Sequence, residues 1–113
     1  MEYSIAEKEN CVVITLNGKI MGGPSSKKFH NEIKELIDQN KTKVIGDLSN
    51  VTFVNSSGLG VFIAALTTLR NAGGELMLCS ASDKIESLFK VSKLFTIFNY
   101  YKTLDKAIEA ANK

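Results

Sequence analysis

Short apolar runs rich in β-branched residues recur along the chain and predict β-strands. The predicted strands cover residues 4–7, 11–18, 43–54, 75–80 and 96–101. The third strand is expected to be interrupted around Ser49 and Asn50, where the apolar pattern lapses. The fourth strand is almost entirely apolar, which indicates that it is covered on both faces.

Between the strands, apolar residues recur every three or four positions, which is the spacing of a helix face. This spacing predicts four helices: one from Pro24 or Ser25, one ending at Gly73-Gly74, one capped by Ser82 and one capped by Thr103. Their expected buried faces are, in chain order, Phe29, Ile33, Leu36 and Ile37; Leu59, Phe62, Ile63, Leu66 and Leu69; Ile85, Leu88 and Phe89; and Leu104, Ala107, Ile108 and Ala111.

From the second strand onward, the predicted strands and helices alternate. This order is typical of an α/β protein in which helices cover a mostly parallel sheet and right-handed crossovers join the strands. The chain has 113 residues and no internal repeat or linker. We therefore expect a single domain over residues 1–113.

Composition excludes several classes of partner. Lysines and arginines number 14 against 12 acids, a net charge of +2, and they are scattered, so we expect no nucleic-acid binding. No stretch approaches the roughly 20 apolar residues that cross a membrane, and the charged start is unlike a signal peptide, so a cytoplasmic protein is expected. Cys11 and Cys79 lack metal-ligand spacing and are expected to be reduced core thiols; no metal or cofactor is expected.

The motif NSSGLG at residues 55–60 follows the third predicted strand and invites a catalytic interpretation. A hydrolase nucleophile elbow reads G-x-S-x-G, but Val54 stands two positions before Ser56 and Asn55 two before Ser57. The only histidine, His30, is expected to be a surface or boundary side chain. Neither a phosphate-binding P-loop nor a dinucleotide fingerprint is present. The sequence therefore predicts that the protein is not an enzyme.

Two structural roles for the motif remain open. Asn55, Ser56 or Ser57 could cap the following helix, and the free N–H groups at its start could also hold an anion. That helix carries further apolar residues, Val61, Ala64 and Ala65, outside its expected buried face. A helix that is apolar around much of its circumference is either deeply buried or meets a partner. A serine at its exposed start would then lie at the rim of a docking face.

Residues 47–98 resemble the STAS domain of the anti-sigma-factor-antagonist type. The resemblance is carried by DLSNV (47–51), by NSSGLG, by a helix that ends at Gly73-Gly74, and by LFKVSKLF (88–95). The segment ITLNGKI (14–20) is similar to the family's second strand and the turn after it. The resemblance implies a mixed sheet of four to five strands with about four helices.

The resemblance also implies a function. Members of the family bind an anti-sigma factor that is a serine kinase, and phosphorylation of the serine after the motif's first residue switches them off. That serine is Ser56 here, with Ser57 as the alternative acceptor, and a serine phosphatase is a further implied partner. The chain departs from the family at two acidic positions, which are Asn55 and Met21 in this sequence.

We expect the partner to dock where two turns meet at the same end of neighbouring parallel strands. The expected contact residues are Met21, Gly22 and Gly23 of the first turn and Asn55, Ser56, Ser57, Gly58 and Leu59 of the second. The alternative hypothesis is a ligand-binding STAS module that holds a nucleotide or small anion at Gly22-Gly23 and residues 55–58.

Overall fold

The computed structural model describes all 113 residues and contains five strands and four α-helices. The strands are β1 (Glu2–Lys8), β2 (Cys11–Ile20), β3 (Lys43–Val54), β4 (Glu75–Cys79) and β5 (Asn99–Tyr101). The helices are α1 (Pro24–Asp38), α2 (Ser56–Asn71), α3 (Asp83–Val91) and α4 (Leu104–Ala111), with a 3-10 turn at Leu94–Thr96. The predicted α/β class and element order are confirmed.

The sheet runs in chain order, β1-β2-β3-β4-β5. Strand β1 pairs antiparallel with β2, and every later pair is parallel. The sheet is therefore mixed, as predicted. Parallel neighbours leave the sheet at the same edge, so the turns after β2 and β3 lie side by side.

Two apolar layers cover the two faces of the sheet. The larger cluster has 21 buried residues, among them Phe29 of α1, Phe62 of α2 and Phe89 of α3. The smaller cluster has seven and packs Ala107 and Ala111 of α4 against the other face. All of β4 after Glu75 is buried, which confirms that this strand is covered on both sides.

The two cysteines lie in the smaller cluster and are both buried and free. Burial raises the pKa of the Cys79 thiol to about 11 and also raises the pKa of Cys11. Both side chains therefore pack as neutral thiols, in agreement with their expected role in the core.

Two strand predictions need correction. The third strand is continuous through Ser49 and Asn50, and the irregularity there is a shift in its pairing with β2. The fifth strand was predicted too long, since residues 96–98 do not join the sheet. The Leu94 carbonyl accepts hydrogen bonds from the amides of Ile97 and Phe98, so these amides serve a turn and not a strand ladder.

One residue was also wrongly predicted to lie on the buried face of α2. Ile63 is 38% exposed, and Ala65 is buried together with Phe62, Leu66 and Leu69. Gly58 is buried as well, so the buried stripe runs along Gly58, Phe62, Ala65, Leu66 and Leu69 and leaves Ile63 outside it. The caps predicted for the third and fourth helices are confirmed: Ser82 accepts from the Ile85 amide and Thr103 from the Lys106 amide.

A carboxylate that the sequence does not predict to be buried connects α3 to β5. Glu86 receives hydrogen bonds from the Tyr100 hydroxyl at 2.7 Å and from Lys102 Nζ at 2.9 Å. The Tyr100 oxygen in turn accepts from the Ala81 amide at 3.0 Å. The Lys102 and Tyr100 hydrogen bonds lower the pKa of Glu86, so the carboxylate stays ionised in its buried position.

The two chain ends lie near opposite ends of the β2 strand. Glu2 pairs with Asn17, near the carboxyl end of β2. At the opposite end, where β2 and β3 begin, Asn10 Nδ2 donates to Asn112 Oδ1 at 2.9 Å and Lys43 Nζ donates to the Ala111 carbonyl at 3.0 Å. None of the four helices combines the length and apolarity that crossing a bilayer requires.

Candidate functional site

The expected docking turns meet where β2 and β3 end. Ile20 pairs with Val54 as the last residue of each strand. Directly after them, the Asn55 amide donates to the Ile20 carbonyl at 3.3 Å and holds the two exits together. The structure thus brings both predicted turns, residues 21–23 and 55–59, to one edge of the sheet.

Asn55 is the cap of α2. Its Oδ1 accepts the Gly58 amide at 2.8 Å, and its backbone is extended, as is usual for a capping residue. Of the three candidate caps in the sequence, the structure selects Asn55 and places Ser56 as the first helical residue. Both serine hydroxyls are therefore spared from capping.

The hydroxyls of Ser56 and Ser57 are both exposed and take part in no hydrogen bond within the chain. Their surroundings differ, however. Ser57 lies beside the turn after β2. A Cβ added to Gly22 would stand 3.0 Å from the Cβ of Ser57. Both side chains are open to another protein, and Ser57 is the one known to border the turn.

The turn after β2 is shaped by two glycines with positive φ, 79° at Gly22 and 89° at Gly23. This backbone conformation is strained for other residues, so the turn depends on glycine at both positions. The preceding residue, Met21, leaves the sheet with 48% of its surface exposed. The turn thus offers one adaptable apolar side chain on an otherwise bare backbone.

The last two residues of the second turn face inward. Gly58 is buried against β2, and Leu59 is half-buried against the larger core cluster. Gly58 therefore positions the loop and offers no side chain to a partner. On the helix surface, Ser56, Leu59 and Ile63 follow each other at three- and four-residue intervals and share one stripe.

A groove of about 840 Å³ separates α1 from α2 next to this edge. Ser57, Gly22 and Gly23 line its end, and His30 is half-buried within it, which agrees with the boundary position predicted for it. Two further residues of α1, Lys27 and Lys34, also line the groove. Their seven-residue spacing, with His30 between, was the signal that they share a helix face.

No three His, Cys, Asp or Glu side chains come together in a way that could hold a metal ion. The site is therefore described by its hydroxyls, its exposed apolar side chains and its glycine-shaped backbone.

Comparison with known proteins identifies the family of this chain. The sequence profile of the STAS domain matches residues 2–107, almost the whole chain. The chain belongs to the STAS domain family. The resemblance seen in the sequence is confirmed, and the strand order and helix positions are those of a STAS domain.

Several relatives of this STAS domain are anti-sigma factor antagonists. The chain is 23% identical to BtrV of Bordetella bronchiseptica, which is named as a candidate anti-sigma factor antagonist. The alignment spans 110 residues, which is 97% of this chain and 94% of BtrV. The crystal structure of TM1081 from Thermotoga maritima superposes with a TM-score of 0.88 at 22% identity, over 98% of this chain and 95% of that one. The unphosphorylated antagonist SpoIIAA superposes with a TM-score of 0.76 at 20% identity, over 98% of each chain.

The geometry explains how Asn55 serves at the start of α2, where the resemblance in the sequence implies an acid. The cap requires one side-chain oxygen directed at the Gly58 amide, and Asn55 Oδ1 supplies it. Asn and Asp are nearly equivalent as caps, so the helix start is preserved while one negative charge is lost. The first turn of α2 then contains no acidic residue.

Proposed function

We propose that this STAS domain is an anti-sigma factor antagonist that binds an anti-sigma factor with serine-kinase activity and is released when that kinase phosphorylates Ser56. It is a binding partner and substrate and not an enzyme, and a serine phosphatase would restore the binding form. The single observation that carries the proposal is the placement of Ser56. It is the exposed first residue of α2, with a hydroxyl free of internal hydrogen bonds.

A phosphate at Ser56 is compatible with the fold. It would add a charge of about −1.5 to −2 at the positive end of the α2 dipole. The first turn holds no acidic side chain that would repel it. SpoIIAA, similar in fold, is known in a phosphorylated form that superposes with a TM-score of 0.73. The modification therefore changes the surface and leaves the core intact.

The surface it would change is apolar. Met21, in the turn that adjoins the start of α2, is 48% exposed, and Ile63, on the same helix stripe as Ser56, is 38% exposed. A partner that covers these side chains would bury the Ser56 hydroxyl at the same time. A phosphate that cannot be desolvated there would weaken the complex, because charges at an interface core are tolerated only when paired.

Phosphopeptide mapping tests the acceptor. The chain is incubated with its cognate anti-sigma kinase and ATP, and we expect the phosphate on Ser56. Ser56→Ala should abolish the modification, whereas Ser57→Ala should retain it. Modification at Ser57 alone would reassign the acceptor, and absence of modification at both serines would make this protein a constitutive binder.

A binding titration tests the switch. Ser56→Asp should leave the melting temperature nearly unchanged, because an acid at the first helical position suits the dipole. Affinity for the anti-sigma factor should fall about tenfold or more, equivalent to roughly 1.4 kcal/mol. Loss of folding together with binding would show that Ser56 is a structural residue.

The docking face is tested by placing a negative charge on it and, for comparison, on α4. Gly22 is unsuitable for this purpose, because its φ of 79° and its contact with Ser57 would strain any side chain. Met21→Glu should weaken binding of the anti-sigma factor about tenfold, whereas Ala110→Glu on α4 should leave it within twofold. Equal losses, or a larger loss at Ala110, would place the interface elsewhere.

The alternative function, a ligand-binding module, is favoured by the groove beside Gly22, Gly23 and Ser57. Against it, the Gly58 amide that an anion would use is already bonded to Asn55 Oδ1. Saturable binding of ATP to the isolated chain, lost on filling the groove by Ala64→Trp, would favour this alternative over partner binding.

A further inference from the structure

The side of α1 that faces the groove carries basic and no acidic side chains. Lys27, His30 and Lys34 line the groove toward α2. On the opposite side, Glu32 accepts the Tyr3 hydroxyl at 3.4 Å. Burial and then the charges of Glu32 and Glu35 raise the pKa of Tyr3. Glu32 and Glu35 are thus directed to β1, while Asp38 lies beyond Lys34 at the end of the helix and outside the groove.

The groove contains no compensating negative charge. No carboxylate is among its lining residues. The three ion pairs of the chain are Lys41–Glu7, Arg70–Glu75 and Lys102–Glu86, so Lys27 and Lys34 pair with nothing in the molecule. Across from them, α2 presents only small or apolar positions, Gly60, Val61 and Ala64. The groove has one basic wall and one apolar wall.

We propose that this groove receives an acidic segment of the anti-sigma factor, whose carboxylates pair with Lys27 and Lys34 while its apolar atoms contact Val61 and Ala64. The inference rests on the proposed function and adds the chemical character of the partner. The groove opens at Ser57 and Gly22, so it continues the docking face around Ser56 without a gap.

The spacing of the two lysines specifies the segment further. Seven residues of helix separate their Cα atoms by about 10 Å along the axis. An extended segment spans about 10 Å in three residues, so acids at positions i and i+3 would match both lysines. The absence of an acid at Met21 and Asn55 agrees with a partner surface that is negative here, because like charges across an interface are repelled.

The test uses a hexaglutamate peptide as the acidic probe and hexaglutamine as its uncharged counterpart. Backbone amide resonances of the full chain are followed at low salt during titration. We expect hexaglutamate to shift residues 27–34 and 57–64, and hexaglutamine to shift none of them. Lys27→Gln with Lys34→Gln should weaken hexaglutamate binding about fivefold, and added salt should weaken it in the parent chain.

The matched control removes the same charge elsewhere. Lys28 and Lys84 are exposed and lie outside the groove, and their double change to Gln should weaken hexaglutamate binding less than twofold. Equal effects of the two pairs would overturn the proposal, because net charge alone would then explain binding. So would inorganic phosphate that shifts the same residues with equal affinity, since the groove would then be a small-anion site.

The same variants separate this inference from the proposed function. If Ser56→Asp weakens binding of the anti-sigma factor and Lys27→Gln with Lys34→Gln does not, the groove proposal fails and the antagonist function stands. If hexaglutamate binds in the groove but Ser56 is neither phosphorylated nor needed for anti-sigma binding, the proposed function fails and the acidic groove site stands.

Discussion

Gly58 packs directly against the backbone of β2, where a carbonyl occupies the space that a side chain would need. A Cβ at this position would stand 1.9 Å from the Ile20 oxygen. Gly58→Ala must therefore push α2 away from the sheet, and we expect a loss of at least about 2 kcal/mol in the free energy of unfolding. Urea unfolding measures it.

Gly60, two residues further along the same helix, is the control. A Cβ there would meet no atom within 4 Å. Gly60→Ala should stabilise the chain by about 0.5–1 kcal/mol, because alanine restricts the unfolded backbone and favours helix. Similar losses at both glycines would contradict the packing argument for Gly58.

Asn55 supplies the other local constraint, its hydrogen bond to the Gly58 amide. Asn55→Ala should cost about 1 kcal/mol, and Asn55→Asp should cost little or nothing, because an aspartate caps equally well and its charge suits the dipole. Thermal unfolding of the two variants compares them. Equal destabilisation by Ala and Asp would mean that the side-chain NH2 group of Asn55, and not its oxygen, is required.

At the scale of elements, the Glu86 carboxylate joins α3 to β5, which is only three residues long. Because its hydrogen bonds are charge-assisted, Glu86→Gln should lower the free energy of unfolding by about 1–2 kcal/mol at pH 7. Urea unfolding at several pH values measures this difference. Glu109, exposed on α4 with no ion pair, is the control, and Glu109→Gln should change little.

The pH dependence has a defined sign. The pKa of Glu86 is lower in the folded chain than in the unfolded one. Its contribution is therefore fully present above the ordinary glutamate pKa of 4.5 and is lost as the pH falls through the lowered folded value. The difference between the parent chain and Glu86→Gln should shrink from pH 7 to pH 3. A difference that stays constant over this range would show that Glu86 acts by packing alone.

At the scale of the whole molecule, local patterns predict the architecture well. The spacing of apolar residues locates every helix, and Ser82 and Thr103 mark two helix starts correctly. The motif at 55–60 predicts a helix start beside the turn at 21–23, because parallel strands place such turns together. These features are decided within a few residues of chain, so the sequence alone is sufficient for them.

Features that depend on distant partners are not predicted. Glu86 is buried because Tyr100 and Lys102, 14 and 16 residues away, satisfy its carboxylate. Ile63 lies outside the buried stripe of α2, which begins with Gly58 packed against Ile20 of β2. The basic groove likewise exists only once α1 and α2 lie side by side. Each of these results from a tertiary contact that no local pattern encodes.

The hydrogen bond between Asn10 and Asn112 has a practical consequence for measuring binding. It fixes the carboxyl terminus at the edge where β2 begins, and the ten residues of β2 span about 30 Å to the docking edge. Glu2, in contrast, pairs with Asn17 near that edge. A biotin or affinity tag on the carboxyl terminus should present the serine face freely on a sensor surface, whereas an amino-terminal tag would crowd it.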